Sequence, residues 1–159
     1  MGSKSRTKGK SAELEVVHIL IPGQPHAQGR ARACRAGKSV RVYDPEESRN
    51  WKATAQQYMA DELDRHDRPW GFECAMSVDI LAVFPCPMSD YRKRKPRERR
   101  WHMKARGDAD NIAKAVLDAG NGVLWKDDCQ VALLNVVKLI GGQGELPYVD
   151  VIVTGLGAR

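Results

Sequence analysis

Two short stretches of this chain place carboxylates where they could bind a hard metal ion. Gly107-Asp108-Ala109-Asp110-Asn111 sets two acids two positions apart at the start of a helical pattern. Trp125-Lys126-Asp127-Asp128 sets two more between a turn and an apolar run. Each has a plain structural reading. Asp and Asn are favoured helix caps, because their side-chain oxygens accept hydrogen bonds from the unsatisfied amides of a first turn, and an isolated Asp-Asp pair is common in turns. Gathered in one place, however, such carboxylates repel one another unless a cation neutralises them. Hard oxygen donors suit Mg²⁺, with Mn²⁺ as substitute, rather than zinc.

The helix between the two stretches bears on the choice. Ile112, Ala115, Val116 and Ala119 form an apolar face, while Asn111, Lys114, Asp118 and Asn121 line a polar one that runs back toward the Asp pair. A Lys114 to Asp118 surface pair would be the ordinary account. Lysine preceding aspartate is the weaker orientation, though, and Asp118 near the helix C-terminus opposes the macrodipole.

Directly before the first acidic stretch lies a run of cations. Residues 92–106 contain nine Lys or Arg against Glu98 alone, and the first ten residues add four more cations, so the remaining chain is acidic although the protein carries +6 overall. Between Glu15 and Asp44 there is no acid, while Arg30, Arg32, Arg35, Lys38 and Arg41 accumulate in what reads as a glycine-containing loop. This asymmetry favours a polyanionic partner. Cations that grip phosphates beside acids that hold a metal is the division of labour a nuclease needs. The candidate backbone-binding residues are Arg30, Arg32, Arg35, Arg92, Lys93, Arg94, Lys95, Arg97, Arg99, Arg100, Lys104 and Arg106. Trp101 is open to stacking on exposed bases or to packing.

The elements that must position these groups read as follows. Residues 16–21 form a first strand, closed by Pro22-Gly23. Asp44-Pro45-Glu46-Glu47 starts a helix running to Arg65, with Trp51, Ala55, Tyr58, Met59 and Leu63 as its core stripe. Residues 74–84 form a strand entering a covered sheet, and residues 108–120 form a second helix ending at a glycine. Strands follow over residues 130–140 and 148–153, separated by Gly141-Gly142. The order β-α-β-α-β-β implies an α/β or α+β domain with two main helices and a mixed, partly antiparallel sheet.

At 159 residues the chain suits one domain over residues 13–159, after a flexible basic tail over residues 1–12. No run approaches the length of a membrane span and the N-terminus lacks a signal-peptide pattern, so a cytoplasmic location is expected. Cys34, Cys74, Cys86 and Cys129 lack paired spacing and read as reduced, mostly structural thiols.

The two acidic stretches with the helix between them, Asp108-Ala109-Asp110-Asn111-Ile112-Ala113-Lys114-Ala115-Val116-Leu117-Asp118-Ala119 and Asn121-Gly122-Val123-Leu124-Trp125-Lys126-Asp127-Asp128-Cys129-Gln130-Val131, resemble the signature of the RusA family of Holliday junction resolvases. Ile21-Pro22-Gly23-Gln24-Pro25, followed by Arg30 and Arg32, is similar to that family's opening strand and basic loop. The resemblance implies that Asp108, Asp110 and Asp128 are metal-binding and catalytic carboxylates. It makes Lys114 the accompanying catalytic lysine, with Asp127 and Asp118 in support. It further implies a homodimer that nicks a four-way DNA junction symmetrically with Mg²⁺ or Mn²⁺, in recombination and repair. Two positions depart from the family pattern. Gly107 stands where many relatives have proline or a basic residue, and Gly120 replaces a usual leucine, so the helix is expected to stop early or bend there. The competing readings are a less selective nuclease for flaps or forks, a non-catalytic DNA-binding protein, and an RNA-binding or ribosome-associated module, against which the acidic cluster argues.

Overall fold

The computed structural model describes residues 15–37, 39–65, 74–103 and 107–157. The basic tail, Lys38, Lys104 and Arg106 lie outside the described residues. The elements are β1 (Val16–Pro22), β2 (Arg32–Ala36), β3 (Ser39–Tyr43), α1 (Glu46–Arg65), β4 (Met76–Phe84), β5 (Arg100–Trp101), α2 (Ala109–Gly120), β6 (Val131–Ile140) and β7 (Tyr148–Gly155). The mixed α+β architecture matches the sequence reading, with two additions. The basic segment after β1 is a hairpin of β2 and β3 rather than a loop, and β5 is a two-residue strand. Alternating Val40 and Val42 favour the extended form, and Gly37 turns the hairpin at φ +65°.

The main sheet has the order β1-β7-β4-β6-β5. β4 sits at its centre, antiparallel to β7 and parallel to β6. Parallel neighbours need a crossover, and α2 supplies it. One face of the sheet is dry because Val17, Ile19, Ile21, Met76, Val78, Ile80, Ala82, Val149, Val151 and Val153 alternate onto it. The helices close that face. α1 buries Ala55 and Met59, and α2 buries Ile112, Ala113, Ala115, Val116 and Ala119. The alanines let the α2 backbone approach the strands closely. Tyr58 departs from the expected stripe and is exposed, since it lies about 100° around the helix from Met59.

Gly120 is the last residue of an uninterrupted α2, so the helix neither stops early nor ends in a left-handed glycine cap. A Cβ there would lie 2.2 Å from Cζ2 of the fully buried Trp125. The glycine makes room for the indole, whose chain segment bonds back to the helix end through the Leu124 amide and the Gly120 carbonyl at 2.8 Å.

Candidate functional site

The start of α2 is fixed from three sides. Gly107 has φ +86°, and a Cβ there would lie 2.7 Å from the Phe84 ring at the end of β4. Its carbonyl accepts a 2.9 Å hydrogen bond from Nζ of Lys138 on β6. Asp108 then occupies the N-cap position with extended backbone, and its carbonyl accepts from the Ile112 amide at 3.0 Å. Its side chain makes no capping hydrogen bond. The capping account therefore fails for Asp108: its carboxylate is exposed, as is that of Asp110 in the first turn, beside the positive end of the helix dipole.

Lys114 lies one turn beyond Asp110 and is exposed. Asp118 pairs not with it but with Lys52 of α1, at 3.5 Å, and the same ammonium donates to Asp44 at 2.6 Å. Lys52 therefore joins the two helices. Its hydrogen bond holds the Asp44 carboxyl below the usual carboxylate range, helped by the charge of Lys114. This contact explains why an acid is tolerated near the C-terminus of α2.

Asp127 and Asp128 stand at the other end of α2, in the turn before β6. Asp127 is a true cap. It accepts from the Cys129 amide at 2.9 Å, and Gln130 Oε1 accepts from the Asp127 amide at 3.3 Å. The hydrogen bonds from Cys129, its amide first, lower the Asp127 pKa, while Asp127 raises that of the Cys129 thiol. Asp128 is exposed. Because Gln130 also reaches the Cys74 carbonyl at the start of β4, at 3.4 Å, this turn lies at the opposite end of the strands from Gly107. α2 has twelve residues, so its ends are about 18 Å apart. Among the described residues no three His, Cys, Asp or Glu side chains stand close enough to hold one ion. A single chain thus sets Asp108 and Asp110 at one end of α2 and leaves Asp127 and Asp128 at the other. Two exposed carboxylates at the start of α2 still fit Mg²⁺, which commonly takes one or two protein carboxylates and completes its shell with water and phosphate oxygens.

The cations converge on the Asp108 end. The Gln28 amide donates to the Asn111 carbonyl at 2.8 Å, and Oγ of buried Ser48 bonds to Nε2 of His26 at 2.8 Å and to the Gly29 amide at 3.3 Å. His26 stacks on Trp51, and burial lowers its pKa. These contacts strap the segment before Arg30 to the first turns of both helices, so Arg30 leaves it close to Asp110. Residues 92–99 follow the C-terminal end of β4 and precede β5, which begins at Arg100 and pairs with the end of β6. Within them Arg92, Lys93, Arg94 and Lys95 are exposed. Arg99 is instead held by Glu145 and the Tyr148 hydroxyl, and Arg100 by Asp90. A cavity lined by Arg92, Lys95, Arg97, Arg99 and Arg100 opens here, and Nε of Arg97 is buried with no partner among the described residues. Arg32 and Arg35 lie on the exposed hairpin, and Trp101 is 69% exposed. Cys34 and Cys129 are exposed, whereas Cys86 is buried, so the structural reading of the thiols suits Cys86 best.

Sequence reasoning missed Ser48, Lys52 and Lys138. Only Lys138 left a signal, as the one charge in the apolar run of β6.

Two comparisons with known proteins bear on this arrangement. The family model for endodeoxyribonuclease RusA matches residues 22–153. The uncharacterized protein YqaN of Bacillus subtilis (strain 168) is 30% identical over 149 residues, covering 91% of this chain and 100% of that protein.

Proposed function

The chain belongs to the RusA family of endodeoxyribonucleases, and from that premise we propose that it resolves four-way DNA junctions by paired, Mg²⁺-dependent nicks in recombination and repair. The observation that carries the reading is the pair of exposed carboxylates at Asp108 and Asp110, with Asp108 free of capping duty, at the end of the sheet where the basic segment follows β4.

In this reading Asp108 and Asp110 hold the divalent cation, with Mn²⁺ able to substitute. The ion would supply charge neutralisation at the scissile phosphate and a water of lowered pKa. Lys114, one turn away, faces the same phosphate and offsets charge developing on its oxygens. Arg30, Arg32, Arg35, residues 92–95 and Arg97 bind backbone phosphates. Lys104 and Arg106 join them by their place in the sequence. Asp128 completes the acidic set only from a second copy, because its own chain holds it at the far end of α2. A two-fold homodimer therefore suits both the site and the symmetric junction. No helix among the described residues is long and apolar enough to cross a membrane, and a cytoplasmic enzyme fits the DNA substrate.

The test is cleavage of a labelled synthetic four-way junction with Mg²⁺, with linear duplex, flap and fork DNA alongside. Paired nicks at symmetric positions, lost in Asp110→Asn while binding persists, are expected. Binding without cleavage in either Mg²⁺ or Mn²⁺ overturns the proposal.

A further inference from the structure

Lys114 stands among carboxylates. Asp110 precedes it by one turn of α2 and Asp118 follows it by one, so all three share a stripe of the helix. Asp44 approaches from the segment before α1. Gln28, whose amide donates to the Asn111 carbonyl at 2.8 Å, also hydrogen-bonds Asp44 through its side chain, and the Asp44 carboxyl registers the charge of Lys114. Among the described residues the Lys114 ammonium nevertheless joins neither Asp44 nor Asp118, and its side chain is exposed.

Both of those acids are occupied by another cation. The Lys52 ammonium, with its side chain only 19% exposed, donates to Asp44 at 2.6 Å and lies 3.5 Å from Asp118. Its place is set by the core, since Ala55 and Met59 of the same helix are buried against the sheet and α2. Without Lys52 the two carboxylates would keep their charge, and Lys114 would be the cation one helical turn from Asp118 and within the field of Asp44. An ammonium drawn into that pair would have to leave it before it could meet a phosphate, and its charge would be offset while it stayed.

The geometry points to Lys52 as a positioning residue: by holding Asp44 and Asp118 it keeps both from capturing the Lys114 ammonium, and so leaves that charge for a phosphate of the DNA backbone. The inference rests on the role proposed for Lys114. It also gives Asp118 a place as the lower anchor of Lys52, which a surface pair with Lys114 would not.

The experiment compares the full-length wild type with Lys52→Met, with Lys52→Arg, and with Lys52→Met combined with Asp44→Asn and Asp118→Asn, circular dichroism confirming the fold of each. Should Lys52→Met fail to fold, Lys52→Gln, which still donates a hydrogen bond to Asp44, carries the same expectations. The first readout is the single-turnover rate of junction cleavage with Mg²⁺, measured beside junction Kd. The second, taken without metal or DNA, is the rate at which acetic anhydride acetylates Lys114, followed by mass spectrometry. Lys52→Met is expected to slow cleavage about tenfold with Kd within about twofold, because charge stabilisation at the phosphate is lost while the basic segments still bind. Acetylation of Lys114 is expected to slow about two- to threefold, the size of effect that an exposed ion pair has on an ammonium.

The triple variant is expected to recover both rates, and Lys52→Arg to stay near the wild type. A residue that merely ties the two helices predicts the opposite for the triple variant, which lacks both ion pairs as well. A triple variant as slow as Lys52→Met, or a Lys52→Met protein with unchanged cleavage and acetylation, overturns the inference. The two readings stay separable: a wild type that never cuts while Lys114 acetylation follows Lys52 sinks only the nuclease, whereas a nuclease indifferent to Lys52 sinks only the positioning role.

Discussion

Lys138, near the end of β6, donates a 2.9 Å hydrogen bond to the carbonyl of Gly107, so the sheet itself holds the residue that precedes Asp108. Lys138→Met should lower kcat for junction cleavage about tenfold or more while leaving junction Kd nearly unchanged, because this hydrogen bond positions a carboxylate and does not touch DNA. Stability should fall by about 1.5 to 3 kcal/mol, the usual worth of a hydrogen bond to a charged group. Lys138→Arg should restore part of the rate. An unchanged kcat in Lys138→Met would show that this tether has no part in the site.

The two acidic stretches differ in what their carboxylates do, and substitution separates them. Asp108→Asn and Asp110→Asn should each abolish cleavage without loss of fold, since neither side chain is used in a cap. Asp127→Asn should retain cleavage within a few-fold, because asparagine also caps well. Cleavage assays beside thermal unfolding check both.

Gly120→Ala should destabilise the protein although alanine is the better helix former. The propensity gain is about 1 kcal/mol, but a Cβ 2.2 Å from buried Trp125 forces repacking that costs about 1 to 3 kcal/mol. A lower Tm is expected, and a raised Tm would show that Trp125 moves freely.

The Asp44–Lys52 pair gives stability a pH dependence of known sign. The carboxyl is lowered on folding, so its contribution is present above its unfolded pKa and is lost as pH falls through the folded value. The ammonium is raised, so its share persists through neutral pH and is lost only in strong base. The deficit of Lys52→Met in urea unfolding should therefore be widest near pH 7 and shrink toward about pH 3. A deficit independent of pH would mean that Lys52 acts through packing alone.

Cations in the basic segment should divide in a salt titration of DNA binding. Lys93→Ala with Lys95→Ala should flatten the slope of log K against log salt by about 0.9 for each phosphate that the variant no longer neutralises. Arg99→Ala should leave the slope nearly intact and lower Tm, because Glu145 and Tyr148 already hold that guanidinium.

Much of this was legible before the fold was known. The period of two in β4 and β7 and the period near four in α2 declared themselves, because each buries one face against the same core. The Asp108–Asp110 pair and the cations could be read from type and spacing. The separation of Asp128 from that pair could not, because it depends on where the turn after α2 docks, which the Gln130 contact with Cys74 decides. Gly120 was misjudged for a similar reason, since its partner Trp125 folds back from beyond the helix. Ser48 and Lys52 look like ordinary polar residues of a surface helix, and only tertiary contact gives them their roles.

α2 is clamped at both ends, by Phe84 and Lys138 against Gly107 and by Trp125 against Gly120. It is therefore a ruler as well as a crossover. One inserted residue would lengthen it by about 1.5 Å and rotate everything beyond by about 100°, parting Asp110 from Lys114 or Trp125 from its notch. A change in its length would have to come in whole turns, or be matched by a shift of the strands that hold its ends.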